Sequence, residues 1–164
     1  MWNEQIIMML LEGIKDTLYM TLTSTLIGYV IGLPMGILLT VTDKDGIHPN
    51  AAVYKVLDVI ANLIRSVPFL ILLIVLIPFT RFLIGRSYGP TATIVPLVIA
   101  AAPYIARMVE SSLKEVDAGV IEAARSMGAS NFTIVTKVML VEARTSLLSL
   151  IHISEPTRRS YISY

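Results

Sequence analysis

The feature that most constrains this chain is the absence of charge over long distances. No Asp, Glu, Lys or Arg occurs between Asp16 and Asp43, a run of about 26 residues, and a helix needs about 20 apolar residues to cross a bilayer. A second such run, SYGPTATIVPLVIAAAPYIA, lies between Arg86 and Arg107. Between Asp58 and Arg81 the only charge is Arg65. Backbone polar groups inside lipid must bond within their own element, so each run is read as a helix. The expected spans lie near 14–41, 57–82 and 89–111. Residues 1–13 are expected to form an amphipathic or short helical lead-in, with Trp2 suited to an interface.

Composition agrees with this class. Of 164 residues, 55% are hydrophobic and 15% charged, with a mean hydropathy of +0.74. A soluble domain carries about 25% charged residues. The net charge of +1 argues against a nucleic-acid surface. The lack of cysteine removes disulfides, thiol catalysis and cysteine-held metal. The N-terminus does not read as a cleavable signal, because Glu4 stands where a basic region belongs.

Within the spans, two features invite a specific reading. Gly28, Gly32 and Gly36 recur every four residues, with Pro34 among them. That spacing puts them on one helix face, where a second helix can approach closely, although glycine is also simply common in membrane helices. The third span holds Pro90, Pro96 and Pro103, tolerable where neighbours satisfy the freed carbonyls. Arg65 is either a functional charge or one that snorkels to an interface. Lys and Arg counts set the orientation. Lys44, Lys55, Arg107, Lys114, Arg125 and Lys137 fall on one side, and Lys15, Arg81 and Arg86 on the other. The richer side is expected to be cytoplasmic, with the N-terminus outside and residues 112–137 in the cytoplasm.

That places VIEAARSMGAS, residues 120–130, in the cytoplasm. Asp117 is expected to cap a helix there, and Gly128 to end it in a left-handed conformation. Ser130 then caps a second helix through Phe132, Val135 and Val138. Val120, Ile121, Ala124 and Met127 share one face, while Glu122 and Arg125 stand in i, i+3 reach. Spacing alone leaves open whether this small-residue face meets a partner protein or the headgroup boundary.

Glu122-Ala123-Ala124-x-x-x-Gly128 resembles the E-A-A-x-x-x-G motif of permease subunits of bacterial binding-protein-dependent ABC importers. Ile31–Gly36 (IGLPMG), Arg65–Leu70 (RSVPFL) and Ala101–Glu110 (AAPYIARMVE) look like the amino-acid-importing branch, and most like its methionine importers. Nine residues after Gly128 that family has I-x-L-P. Here Val138-Met139-Leu140-Val141 stands in its place, without the proline. The resemblance covers roughly residues 5–147. It implies an all-α integral membrane bundle of about three complete spans, a cytoplasmic coupling helix and the start of a fourth span, where the family has five.

The resemblance also implies a function. The chain would be a transmembrane permease subunit with no catalysis and no cofactor of its own, paired with a second copy. Its partners would be an ABC ATPase subunit, a periplasmic or lipoprotein substrate-binding protein and membrane lipid. Val120, Ile121, Glu122, Ala123, Ala124, Arg125, Met127 and Gly128 would seat in the ATPase. There Ala123 and Ala124 would permit close docking, Glu122 would make a polar contact or pair with Arg125, and Met127 would anchor. The alternative is a membrane scaffold or channel subunit without an ATPase. No P-loop, H-E-x-x-H or G-x-S-x-G supports an enzyme, and His48 sits in a polar loop.

The run LSLIHISEPTR from Leu148 resembles a translated sequencing adapter. The permease domain is therefore expected to occupy 1–147 and a non-native tail 148–164. His152, inside that run, is given no role.

Overall fold

A computed structural model describes residues 4–144; Trp2 and the tail from Leu148 fall outside them. The chain divides into two units, 1–114 and 115–164.

In the first unit, α1 is one helix, Glu4–Thr42. From Glu4 on, the lead-in expected over 1–13 is therefore continuous with the first span. At about 1.5 Å per residue the 39 residues reach roughly 58 Å, well beyond a bilayer core of about 30 Å. Hydroxyls inside α1 satisfy themselves locally. Ser24 donates to the Met20 carbonyl at 2.6 Å, Thr40 to Gly36 at 3.0 Å and Thr42 to Leu38 at 2.6 Å.

α5, Pro90–Lys114, keeps Pro96 and Pro103 within one helix and begins with Pro90, where a missing N–H costs nothing. The glycine stripe of α1 lies against it. A Cβ on Gly28 would stand 3.3 Å from Ala101 Cβ. On Gly32 it would stand 2.7 Å from the Ala102 carbonyl oxygen, and on Gly36 2.5 Å from that of Ala106. The obstacles are backbone atoms, so this approach requires glycine at Gly32 and Gly36. The contacts advance in the same direction along both helices, so α1 and α5 run parallel.

Two parallel spans require a return leg, and the chain between them provides it in pieces. α2 is Ala51–Ser66, α3 Phe69–Val75 and α4 Ile77–Ile84. The single second span expected over 57–82 is corrected here. α2 and α3 meet at 106°, and together they are long and apolar enough to count as one broken or re-entrant span. The cause is Val67-Pro68. Proline has no N–H for the carbonyl four residues back and forces its predecessor out of helical geometry, and Val67 is extended at φ −83°, ψ 126°.

In the second unit, α6 covers Ala118–Ser126. After a turn the chain continues as α7, Asn131–Thr133, then a π-helical turn, Ile134–Met139, then α8, Leu140–Glu142. This helix thus begins with a widened turn that ends two residues before Val141.

Candidate functional site

Two constellations stand out, one in each unit. The first is the short helix α6. Asp117 caps it by accepting from the Gly119 N–H at 2.6 Å. At the other end the Gly128 N–H donates to the Arg125 carbonyl at 2.9 Å, and the Ala129 N–H to that of Ala124 at 3.1 Å. These are the two bonds of a Schellman stop, with Gly128 at φ +79°. Ser130 then caps α7 by accepting from the Thr133 N–H at 3.3 Å. Both caps and the glycine stop stand where the residue types put them in the sequence.

The exposed face of α6 is not quite the stripe that spacing suggested. Ala124 is buried, so on this face it lies behind its exposed neighbours. Met127 is 82% exposed, an unusual state for a methionine, and Val120, Glu122, Ala123, Arg125 and Gly128 are exposed as well. Ile121 is half-buried. Glu122 is exposed three positions before Arg125 on the same helix. The arrangement offers a short rod capped at both ends, with a protruding methionine and an exposed carboxylate.

The second constellation sits where α1 ends, on α2 and on the last turns of α5. Glu110, 4% exposed, is its centre. It accepts from Arg107 Nη1 at 2.7 Å, from Lys114 Nζ at 2.8 Å and from the Tyr54 hydroxyl at 3.4 Å. Arg107 Nη2 also pairs with Asp58 and donates to Asn62 Oδ1 at 3.2 Å. Lys114 reaches Asp43, just past α1, at 2.6 Å and lies 5.8 Å from the centre of the Tyr54 ring. The hydrogen bond from Lys114 holds the Asp43 carboxyl below its usual pKa. Three carboxylates and two cations thus tie three helices together.

Sequence reasoning passed over this cluster. Lys114 served only to count positive charge, Asp43 and Asp58 to bound spans, and Arg107 for both and as part of the AAPYIARMVE stretch. The available signal was Arg107, Glu110 and Lys114 at i, i+3 and i+7 on one face of α5.

The chain is similar to known proteins over most of its length. The profile of the family described as "Binding-protein-dependent transport system inner membrane component" matches residues 7–154, past the boundary expected at 147. A D-methionine transport system permease protein of Salmonella typhimurium is 49% identical over 147 residues, covering 90% of this chain and 68% of that protein. The Escherichia coli K12 protein of the same description matches to the same extent, at 49% identity. A solved structure of a methionine ABC transporter in inward-facing conformations superposes with a TM-score of 0.87 at 49% identity, over 90% of this chain and 68% of that one. A more distant structure, an amino acid ABC transporter with histidines, gives a TM-score of 0.58 at 26% identity, over 92% and 70%.

Proposed function

The chain belongs to the inner membrane components of binding-protein-dependent transport systems, and on that premise we propose that it is the permease subunit of an ATP-driven methionine importer. The observation that carries the mechanism is α6, a nine-residue helix stopped at both ends by its own caps. A capped rod passes on a push as displacement, where an open loop would absorb it.

In this reading the chain performs no chemistry. A partner ATPase receives Val120, Ile121, Glu122, Ala123, Ala124, Arg125, Met127 and Gly128, with Met127 as the anchor and Glu122 as the polar contact. The exposed Met127 and Glu122 side chains support that assignment. A second copy of the permease completes the pore, and a substrate-binding protein delivers cargo from the other side of the membrane. The N-terminus is outside, with residues 112–137 in the cytoplasm. When the ATPase dimer closes, the rods move together and the helices rearrange as packed bodies.

The test is reconstitution of the permease, extended to the full length of its relatives, with an ABC ATPase subunit of a methionine transporter. Co-purification with the ATPase and ATP-dependent uptake of labelled methionine are the expected results. A lone oligomer that takes up no methionine would establish the scaffold reading instead.

A further inference from the structure

Arg65 stands one residue from the end of α2, at the bend inside the broken pair. It is exposed and, among the described residues, has neither ion pair nor hydrogen bond. Arg107, by contrast, is held by Asp58, Asn62 and Glu110. An ionisable side chain within a span needs a partner or a function. Beside it opens a cavity of about 650 Å³, within the range of about 300–1,000 Å³ that small-molecule sites occupy. Val67, Pro68, Phe69, Leu72 and Tyr104 line it with Arg65, so a single cation faces apolar and aromatic walls.

The break supplies a complementary group. In a continuous helix the Ile64 carbonyl would accept from residue 68, but Pro68 has no N–H. Ile64 also lines the cavity. Its carbonyl is thus an acceptor at the negative end of the α2 dipole, where a cation is favoured. Interrupted helices of this kind place unwound carbonyls and charged groups at substrate sites in other transporter folds.

A cation, a carbonyl acceptor and an apolar pocket together fit a zwitterionic amino acid with an apolar side chain. We propose that this cavity is a substrate subsite on the translocation path. Arg65 takes the α-carboxylate and the Ile64 carbonyl the α-ammonium, while Phe69, Leu72 and Tyr104 flank the side chain in an open groove. A thioether suits these walls, since sulfur packs well against aromatic rings. The assignment rests on the transport reading above.

The experiment uses the full-length permease–ATPase assembly in lipid nanodiscs, without binding protein. A diazirine analogue of methionine is photolysed and its adducts are mapped by peptide mass spectrometry. Adducts are expected within 64–72 and 100–104. Methionine should compete for them about tenfold better than methioninol, which lacks the carboxylate that pairs with Arg65. Arg65→Gln should erase that preference and Arg65→Lys restore part of it. Leu72→Trp, which fills the cavity without altering charge, should lower the yield several-fold with either competitor. Adducts confined elsewhere, a preference that survives Arg65→Gln, or full yield in Leu72→Trp would overturn the subsite. If labelled uptake with binding protein persists through such a result, the importer reading stands. An assembly without any methionine uptake would defeat that reading itself.

Discussion

Gly128 shows how much one position settles. Its surroundings are open, with nothing within 4 Å of an added Cβ, so crowding is not what requires glycine. The requirement is φ +79°, a conformation that costs other L-residues about 1–2 kcal/mol, and more when they are β-branched. Gly128→Val is therefore expected to leave membrane insertion intact but misdirect the rod, lowering uptake more than ATP hydrolysis. Normal uptake by a full-length permease carrying it would contradict the mechanism. Asp117→Ala removes the opposite cap and should weaken α6 by about 1 kcal/mol. Faster amide exchange at Gly119 and Val120 is the check. Asp43 adds a pH dependence. Its depressed pKa means that its contribution is complete above the unfolded value, about 3.9, and is lost as pH falls through the lower folded value. The thermal midpoint should fall on acidification below pH 4, and Asp43→Asn should blunt that response.

The helices carry different information. α1 and α5 owe their parallel contact to residues that have no side chain or a small one. Gly32→Leu would drive a Cβ into the Ala102 carbonyl and Ile105, whereas Gly13 has no neighbour within 4 Å. The first substitution is expected to destabilise the pair by at least about 1–3 kcal/mol and the second hardly at all. Thermal unfolding of both variants in detergent compares them. The glycine spacing was visible in the sequence; its partner was not, because a four-residue repeat marks a face and not what lies against it. The return leg reads oppositely. Sparse charge between Asp58 and Arg81 made 57–82 one span, since counting charges passes over the one missing N–H at Pro68.

In the first unit as a whole, the polar cluster around Glu110 does for the ends of α1, α2 and α5 what the glycines do further along. Glu110→Ala removes one carboxylate from each cation while Arg107 keeps Asp58 and Lys114 keeps Asp43, a change expected to cost about 1–3 kcal/mol. The expected outcome is a lower unfolding temperature, with Glu110→Asp intermediate; an unchanged midpoint would show that the cluster is ornamental to stability. Such a network holds the spans as one packed body. A transporter needs that rigidity if displacement at a cytoplasmic helix is to reach a pore.

Charge-free runs, caps and glycine stops are local. They depend on residues within one or two turns of each other, so the membrane class, the limits of α6 and the E-A-A motif could all be read in order along the chain. The partner of the glycine stripe, the bend at Pro68 and the convergence of Asp43, Asp58 and Glu110 on two cations are different in kind. Asp43 and Lys114 are 71 positions apart and meet at 2.6 Å because two parallel helices end together. No local pattern encodes that meeting. It follows from backbone approach at Gly32 and Gly36, and that in turn from packing along the whole length of two spans.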